Sequence, residues 1–177
     1  IGSAGWSVSS GDVNDDGIDD VITGAAGGAG GVYITLGPIS GNVSLMTTDI
    51  ILTGVASGDS AGQSTALCDI NGDGIDDLIV GASGQDSGGS GTGATNLLFG
   101  PLFTGESSLA TADVVFTGEG TDDSSGRSVS CGGDVNGDGI DDLVVGAQYE
   151  SSVDAYTGAA YLVLGSSILT SGSIGSA

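Results

Sequence analysis

The stretch Asp12-Val13-Asn14-Asp15-Asp16-Gly17-Ile18-Asp19-Asp20 decides the fold, because it returns twice. The second copy is Asp69-Ile70-Asn71-Gly72-Asp73-Gly74-Ile75-Asp76-Asp77, and the third is Asp134-Val135-Asn136-Gly137-Asp138-Gly139-Ile140-Asp141-Asp142. In every copy oxygen-bearing side chains stand at loop positions 1, 3, 5 and 9. Gly at position 6 lets the backbone turn sharply, and Ile at position 7 can offer its carbonyl. A short loop built this way wraps a hard cation in oxygen ligands. Plain solvated turns need no such spacing in three copies.

The residues just after each loop separate the possible architectures. A helix–loop–helix hand requires a bidentate Glu at position 12 and a helical exit. Position 12 is instead Thr23, Val80 and Val145, each inside a β-branched run, so the hand is rejected. The fourth carboxylate comes early, from Asp20, Asp77 and Asp142.

Outward from the loops, the flanks read as short strands. The first repeat, residues 1–53, has Ser3–Ser9 before its loop and Val21–Ala25 after it, then Val32–Leu36 closed by Gly37-Pro38, then Ile50–Thr53. The second, residues 54–117, reproduces this with Ser60–Ser64, Leu78–Ala82, Asn96–Phe99 before Gly100-Pro101, and Val114–Thr117. The third, residues 118–177, has Ser124–Ser128, Leu143–Ala147, Tyr161–Leu164 and Ile168–Thr170. Differences in repeat length fall in Gly/Ser-rich turns, where insertions are tolerated. Each repeat is thus expected to be a unit of four strands with a cation loop between the first two. Ile174-Gly175-Ser176-Ala177 repeats Ile1-Gly2-Ser3-Ala4, so the third repeat is expected to run into the start of another. A chain opening on Ile1 reads as a processed or partial polypeptide.

Composition bounds the function. Among 177 residues there are 36 glycines, which leaves few large side chains for a core. The 23 acidic residues face a single Arg127, with no Lys or His, giving a formal charge of −22. Such a chain repels itself and calls for bound cations. It does not suit nucleic acid or an anionic lipid surface, which need Lys and Arg on the protein side. No apolar run approaches the ~20 residues that span a bilayer, so membrane insertion is not expected. The same acidity fits a protein of high-salt surroundings.

The repeat unit resembles FG-GAP repeats, the blades of integrin-α-like β-propellers. The likeness rests on Gly5-Trp6-Ser7, Gly62-Gln63-Ser64 and Gly126-Arg127-Ser128, on the three loops, and on Gly24-Ala25, Gly81-Ala82 and Gly146-Ala147. It covers nearly the whole chain and implies an all-β fold of three four-stranded antiparallel blades, part of a larger propeller or of a repetitive assembly. It implies Ca2+ in three sites: Asp12, Asn14, Asp16, Ile18 (carbonyl) and Asp20; Asp69, Asn71, Asp73, Ile75 and Asp77; Asp134, Asn136, Asp138, Ile140 and Asp142. The chain departs from the family pattern where Ala4, Ala61 and Ser125 replace the Phe before Gly, and where Ala26, Ser83 and Gln148 replace the Pro of Gly-Ala-Pro. The missing aromatic wedges imply either adjacent sheets packed more closely than in a large propeller or blades that stack in another way. Closed propellers use ~4–8 blades, so a ring needs more chain or more subunits.

The remaining residues carry weaker signals. Asp15, Asp19, Asp76 and Asp141 are read as outward-facing solvating charges, with a bridge to another repeat as the alternative for the last three, which share loop position 8. Arg127 is expected to pair with Asp122 or Asp123. Trp6, Tyr33, Phe99, Phe116 and Tyr161 are expected in the core. Cys68 and Cys131 are either small buried thiols or a disulfide pair. Asn42-Val43-Ser44 fits an N-glycosylation acceptor.

An enzyme is not expected: Ser and Cys residues have no evident base, and most carboxylates belong to the loops. The reading is an extracellular or cell-surface, calcium-stabilised structural or adhesive module whose partner is a protein or glycan ligand. The alternative is a protomer of a head-to-tail filament made of copies of itself, and a remote one is a calcium-dependent hydrolase.

Overall fold

Residues 2–151, 156–168 and 171–176 are described by the computed structural model, which is all-β apart from short 3-10 turns. The first sheet is built from β1 (Ala4–Gly11), β2 (Asp20–Ala25), β3 (Gly31–Thr35) and β4 (Ile50–Thr53), paired antiparallel in that order. The second contains β5 (Ala61–Cys68), β6 (Asp77–Ala82) and β7 (Ala94–Leu98). The next strand in the chain, β8 (Gly105–Ser108), leaves that sheet and adds in parallel to the outer edge of β4. Only then does β9 (Val114–Thr117) complete the second sheet beside β7.

The third sheet has β10 (Ser125–Gly133), β11 (Asp142–Ala147) and β12 (Ala159–Val163). After it, β13 (Gly172–Ser173) pairs in parallel with β9, as β8 does with β4. The expected four-stranded antiparallel unit is therefore present in the first two repeats, and each of those sheets gains a fifth strand lent by the following repeat. In the third repeat, Ile168 is buried after a 3-10 turn, not in a strand; Leu169 and Thr170 lie outside the described residues.

Ile174–Ser176 is a 3-10 turn after β13, just as Leu109–Thr111 is one after β8, and Ile174 and Leu109 are both buried. Ile174 is thus anchored beside β13 as Leu109 is beside β8. Ile1 and Ala177 lie outside the described residues.

The core lies between sheets, as two seams. The first collects Ile22, Val32, Ile34, Ile50 and Leu52 from the first sheet against Leu78, Val80 and Ala82. The second collects Ile79, Leu97, Val114 and Phe116 against Leu143, Val145 and Val163. Strand β6 feeds both because alternate side chains point to opposite faces, and all six of its residues are buried. The three sheets do not close on themselves. The open face of the first sheet exposes Val8 (73%) and Trp6 (56%), so Trp6 is not a core residue as expected: among the described residues no sheet covers its side.

The seams explain two of the repeated motifs. Gly5, Gly62 and Gly126 all have positive φ at a register shift of their strands. The Ser two residues later donates to the next sheet's Gly carbonyl: Ser7 Oγ to Gly62 O at 3.0 Å, and Ser64 Oγ to Gly126 O at 3.0 Å. Gly24 and Gly81 lie against those same carbonyls, where a Cβ would come within 1.9 and 2.1 Å of the oxygen. Sheet packing here is backbone against backbone, which fits the small residues in place of aromatic wedges.

Candidate metal centres

Each acidic loop is organised by its first carboxylate. Asp12 accepts the N–H groups of Asp16 (3.1 Å) and Gly17 (2.7 Å), and Asp69 and Asp134 do the same with Asp73 and Gly74, and with Asp138 and Gly139. Position 3 supports position 5 from both sides: the Asn14, Asn71 and Asn136 side chains accept the N–H of Asp16, Asp73 and Asp138 and donate to their carboxylates. Gly17, Gly74 and Gly139 have φ between 83° and 89°, the sharp turn expected at position 6. Position 4 is left-handed too, in Asp15 (φ 62°), Gly72 and Gly137. Ile18, Ile75 and Ile140 press their side chains against Gly37, Gly100 and Gly165 at the ends of the third strands, where a Cβ would overlap them.

The position 9 carboxylates differ from the rest. Asp20, Asp77 and Asp142 are fully buried, and each binds two distant backbone groups. One oxygen takes the N–H of the second loop residue, Val13, Ile70 or Val135 (2.9–3.1 Å). The other takes Gly37, Gly100 or Gly165 N–H (2.8–3.0 Å). Each therefore ties loop, second strand and third-strand end together, a role not apparent from loop spacing alone. Burial pushes the Asp77 carboxyl up to about 6 despite these hydrogen bonds, and raises Asp20 in the same way.

These oxygen donors fit a hard cation, and the buried charge gives a reason for one. A fully buried carboxylate without countercharge costs several kcal/mol, and the chain has no Lys or His, while Arg127 is exposed. The carboxylates at positions 1, 5 and 9 do not gather their oxygens within 4.8 Å of one another; those oxygens accept loop N–H groups, the Asn side-chain amide and the N–H at the end of the third strand.

The position 8 residues correct the expectation of outward solvating charges. Asp19 is exposed, but Asp76 is half-buried in the first seam, where its carboxylate accepts the Asp12 N–H at 3.2 Å. Asp141 is half-buried in the second seam, with its own N–H donating to Asp69 O at 3.3 Å. Position 8 points toward the preceding sheet, so it reaches a partner only where that sheet is present. Among the described residues, one set of three Cys or acidic side chains brings its ligand atoms within 4.8 Å of one another: Cys68, Cys131 and Asp141. Both cysteines are free thiols, Cys68 buried and Cys131 half-buried, and burial raises both thiol pKa values. The Asp123 carboxylate, a suggested partner of Arg127, instead accepts the Gly120 N–H at 2.5 Å.

A family model, the FG-GAP repeat, matches residues 4–35, 61–95 and 125–163, one segment in each sheet. Integrin alpha pat-2 of Caenorhabditis elegans is 32% identical over 174 residues, covering 92% of this chain and 14% of that protein. Integrin alpha-PS2 of Drosophila melanogaster is 33% identical over 153 residues, with 82% and 10% covered. Phosphatidylinositol-glycan-specific phospholipase D of Bos taurus is 32% identical over 161 residues, with 82% and 18% covered. The chain spans less than a fifth of the length of these relatives. No helix among the described residues is long and apolar enough to cross a membrane.

Proposed function

From the premise that this chain belongs to the FG-GAP repeat family, we propose that it is a calcium-stabilised, non-enzymatic structural or adhesive module that works outside the cell and presents its loops to a protein or glycan ligand. The single observation that carries the calcium reading is the burial of Asp20, Asp77 and Asp142 in a chain with no Lys or His to compensate them. Asp12, Asn14, Asp16 and Asp20, with their counterparts in the other loops and the carbonyls of Ile18, Ile75 and Ile140, would hold the ions. Bound calcium would supply positive charge there and fix the loop that joins the first two strands. Extracellular calcium modules work at affinities of about 10⁻⁴–10⁻³ M, which suits surroundings where calcium is plentiful.

The surface location and the ligand class rest on the likeness to integrin alpha chains. The phospholipase D relative carries no activity over to this chain, which covers 18% of it. The Ser and Cys residues here have no neighbouring His or Lys to act as base.

A second reading, head-to-tail assembly, is favoured by the two open faces. Ser128 and Gly146 of the third sheet repeat the seam-forming Ser64 and Gly81, while Gly5 of the first sheet repeats Gly62 and has open space beside it. These two halves would complete another seam with further repeats or another copy.

Thermal melts with calcium and with excess chelator test the main reading. Each site adds about 2.7 kcal/mol at a free calcium concentration a hundredfold above its Kd, so chelation should lower Tm by many degrees. An unchanged melt overturns the reading. The chelated protein should also be more stable at pH 5 than at pH 7. Asp77 has a folded pKa raised from 3.8 to about 6, so its contribution is whole below about 3.8 and is lost as the pH rises through about 6. With calcium bound the order should reverse, because protons then compete with the ion.

A further inference from the structure

We propose that Cys68, Cys131 and Asp141 form a binding site for a thiophilic divalent cation of the zinc class, clamped across the seam between the second and third sheets. The three side chains come from the end of β5, from β10, and from the third loop just before β11, and their ligand atoms already lie within 4.8 Å of one another. Around a tetrahedral zinc, with bonds of about 2.0–2.3 Å, donor atoms stand about 3.3–3.8 Å apart, so modest side-chain closure suffices. Two thiolates select a soft or borderline ion over calcium. Their two protons pass to solvent as the metal–sulfur bonds form, and the half-buried Cys131 and Asp141 leave room for solvent in the fourth position.

The first seam shows that the cysteines are not needed for packing. By strand register Gly11 stands where Cys68 does, opposite Asp20 and Asp77, and Leu67 stands where Cys131 does, opposite Leu78 and Leu143. Gly11, Leu67 and Asp76 accordingly meet in the first seam: a Cβ on Gly11 would lie 2.4 Å from the Asp76 carboxylate and 3.0 Å from Leu67. Asp76 there has a backbone donor, the Asp12 N–H. Among the described residues, the donor to the Asp141 carboxylate is the Cys131 thiol, at 3.5 Å. A disulfide would consume that donor and leave a half-buried carboxylate against uncharged sulfur. A cation satisfies both sulfurs and the carboxylate together, and the charge of −22 attracts it.

The test titrates Cd2+ into the reduced protein with calcium in excess, so that oxygen-ligand loops are saturated, and follows the sulfur-to-cadmium charge-transfer absorbance. One equivalent should produce the band. Cys68→Gly/Cys131→Leu, which writes the residues of the first seam into the second, should abolish it while keeping a calcium-dependent melt. Asp141→Asn should weaken binding by at least the ~10-fold typical of losing an outer-shell partner, and Asp76→Asn should not change it. No band, a band of equal size in the double variant, or a Cys68–Cys131 disulfide in protein purified without reductant overturns the proposal. Should the double variant fail to fold, cadmium-113 resonance of the wild-type protein decides: mixed sulfur–oxygen coordination supports the site, and oxygen-only coordination overturns it. Because the band reads sulfur ligation alone, its outcome is independent of whether the acidic loops bind calcium.

Discussion

The two seams are built on one frame and filled with different chemistry. Both use a Ser hydroxyl and a bare Gly against the next sheet's Gly carbonyl, and both are crossed by a parallel bridge, Gly30 to Ala61 and Gly93 to Ser125. Beside that bridge the first seam is apolar, with Val32 and Ala61 fully buried. At the same places the second seam has Thr95 and Ser125, also fully buried, whose hydroxyl oxygens have no hydrogen-bond partner among the described residues. The Gly, Leu and Asp cluster of the first seam is likewise replaced by two thiols and Asp141. Geometry is thus held by backbone contacts, which any sequence with the right glycines can make, and side chains are free to vary in polarity.

The largest expected effect tests the shared frame. Gly24→Ala and Gly81→Ala each place a Cβ on a backbone carbonyl oxygen and should cost about 3 kcal/mol or more in chemical denaturation. Gly146→Ala, at the same place in the third sheet, meets chiefly its own Ser128 side chain and should cost less than about 1 kcal/mol. Equal losses in all three would show that sheet packing is not what these glycines serve.

A smaller effect tests the difference between the seams. Thr95→Val with Ser125→Ala gives the second seam the apolar character of the first, removing two unpartnered buried hydroxyls. Stability should rise by about 1–2 kcal/mol in urea unfolding; a loss would mean that the hydroxyls are satisfied in solution. The smallest effect concerns the Ser hydroxyls. Ser64→Ala should cost about 1 kcal/mol through its 3.0 Å bond to Gly126, and Ser128→Ala close to nothing in the isolated chain. If Ser128→Ala is as costly as Ser64→Ala at high protein concentration only, the open face of the third sheet is engaged by another copy.

Legibility tracked the range of the interaction. The loops were readable because their oxygen-bearing side chains lie within nine residues, and the left-handed Gly at position 6 comes with the turn. The strands were readable from β-branched runs whose side chains alternate. The features that were not readable depended on which sheet stands beside which: the outward exposure of Trp6, the inward turn of Asp76 and Asp141, the capture of the Gly37, Gly100 and Gly165 N–H groups, and the departure of β8 and β13 to neighbouring sheets. The shared Asp at position 8 was the available signal for the seam clusters, but nothing local distinguishes Asp19, which faces no other sheet among the described residues, from Asp76.

By itself, then, the sequence determined the repeat, its acidic loop, the strands on either side and the need for positive charge, because each is set by residues close in the chain. Tertiary structure decided that the core lies between sheets, that glycines rather than aromatics hold those sheets together, and that Cys68 meets Cys131 and Asp141. Those contacts join one repeat to the next, and sheet packing, not chain connectivity, sets the distances across them.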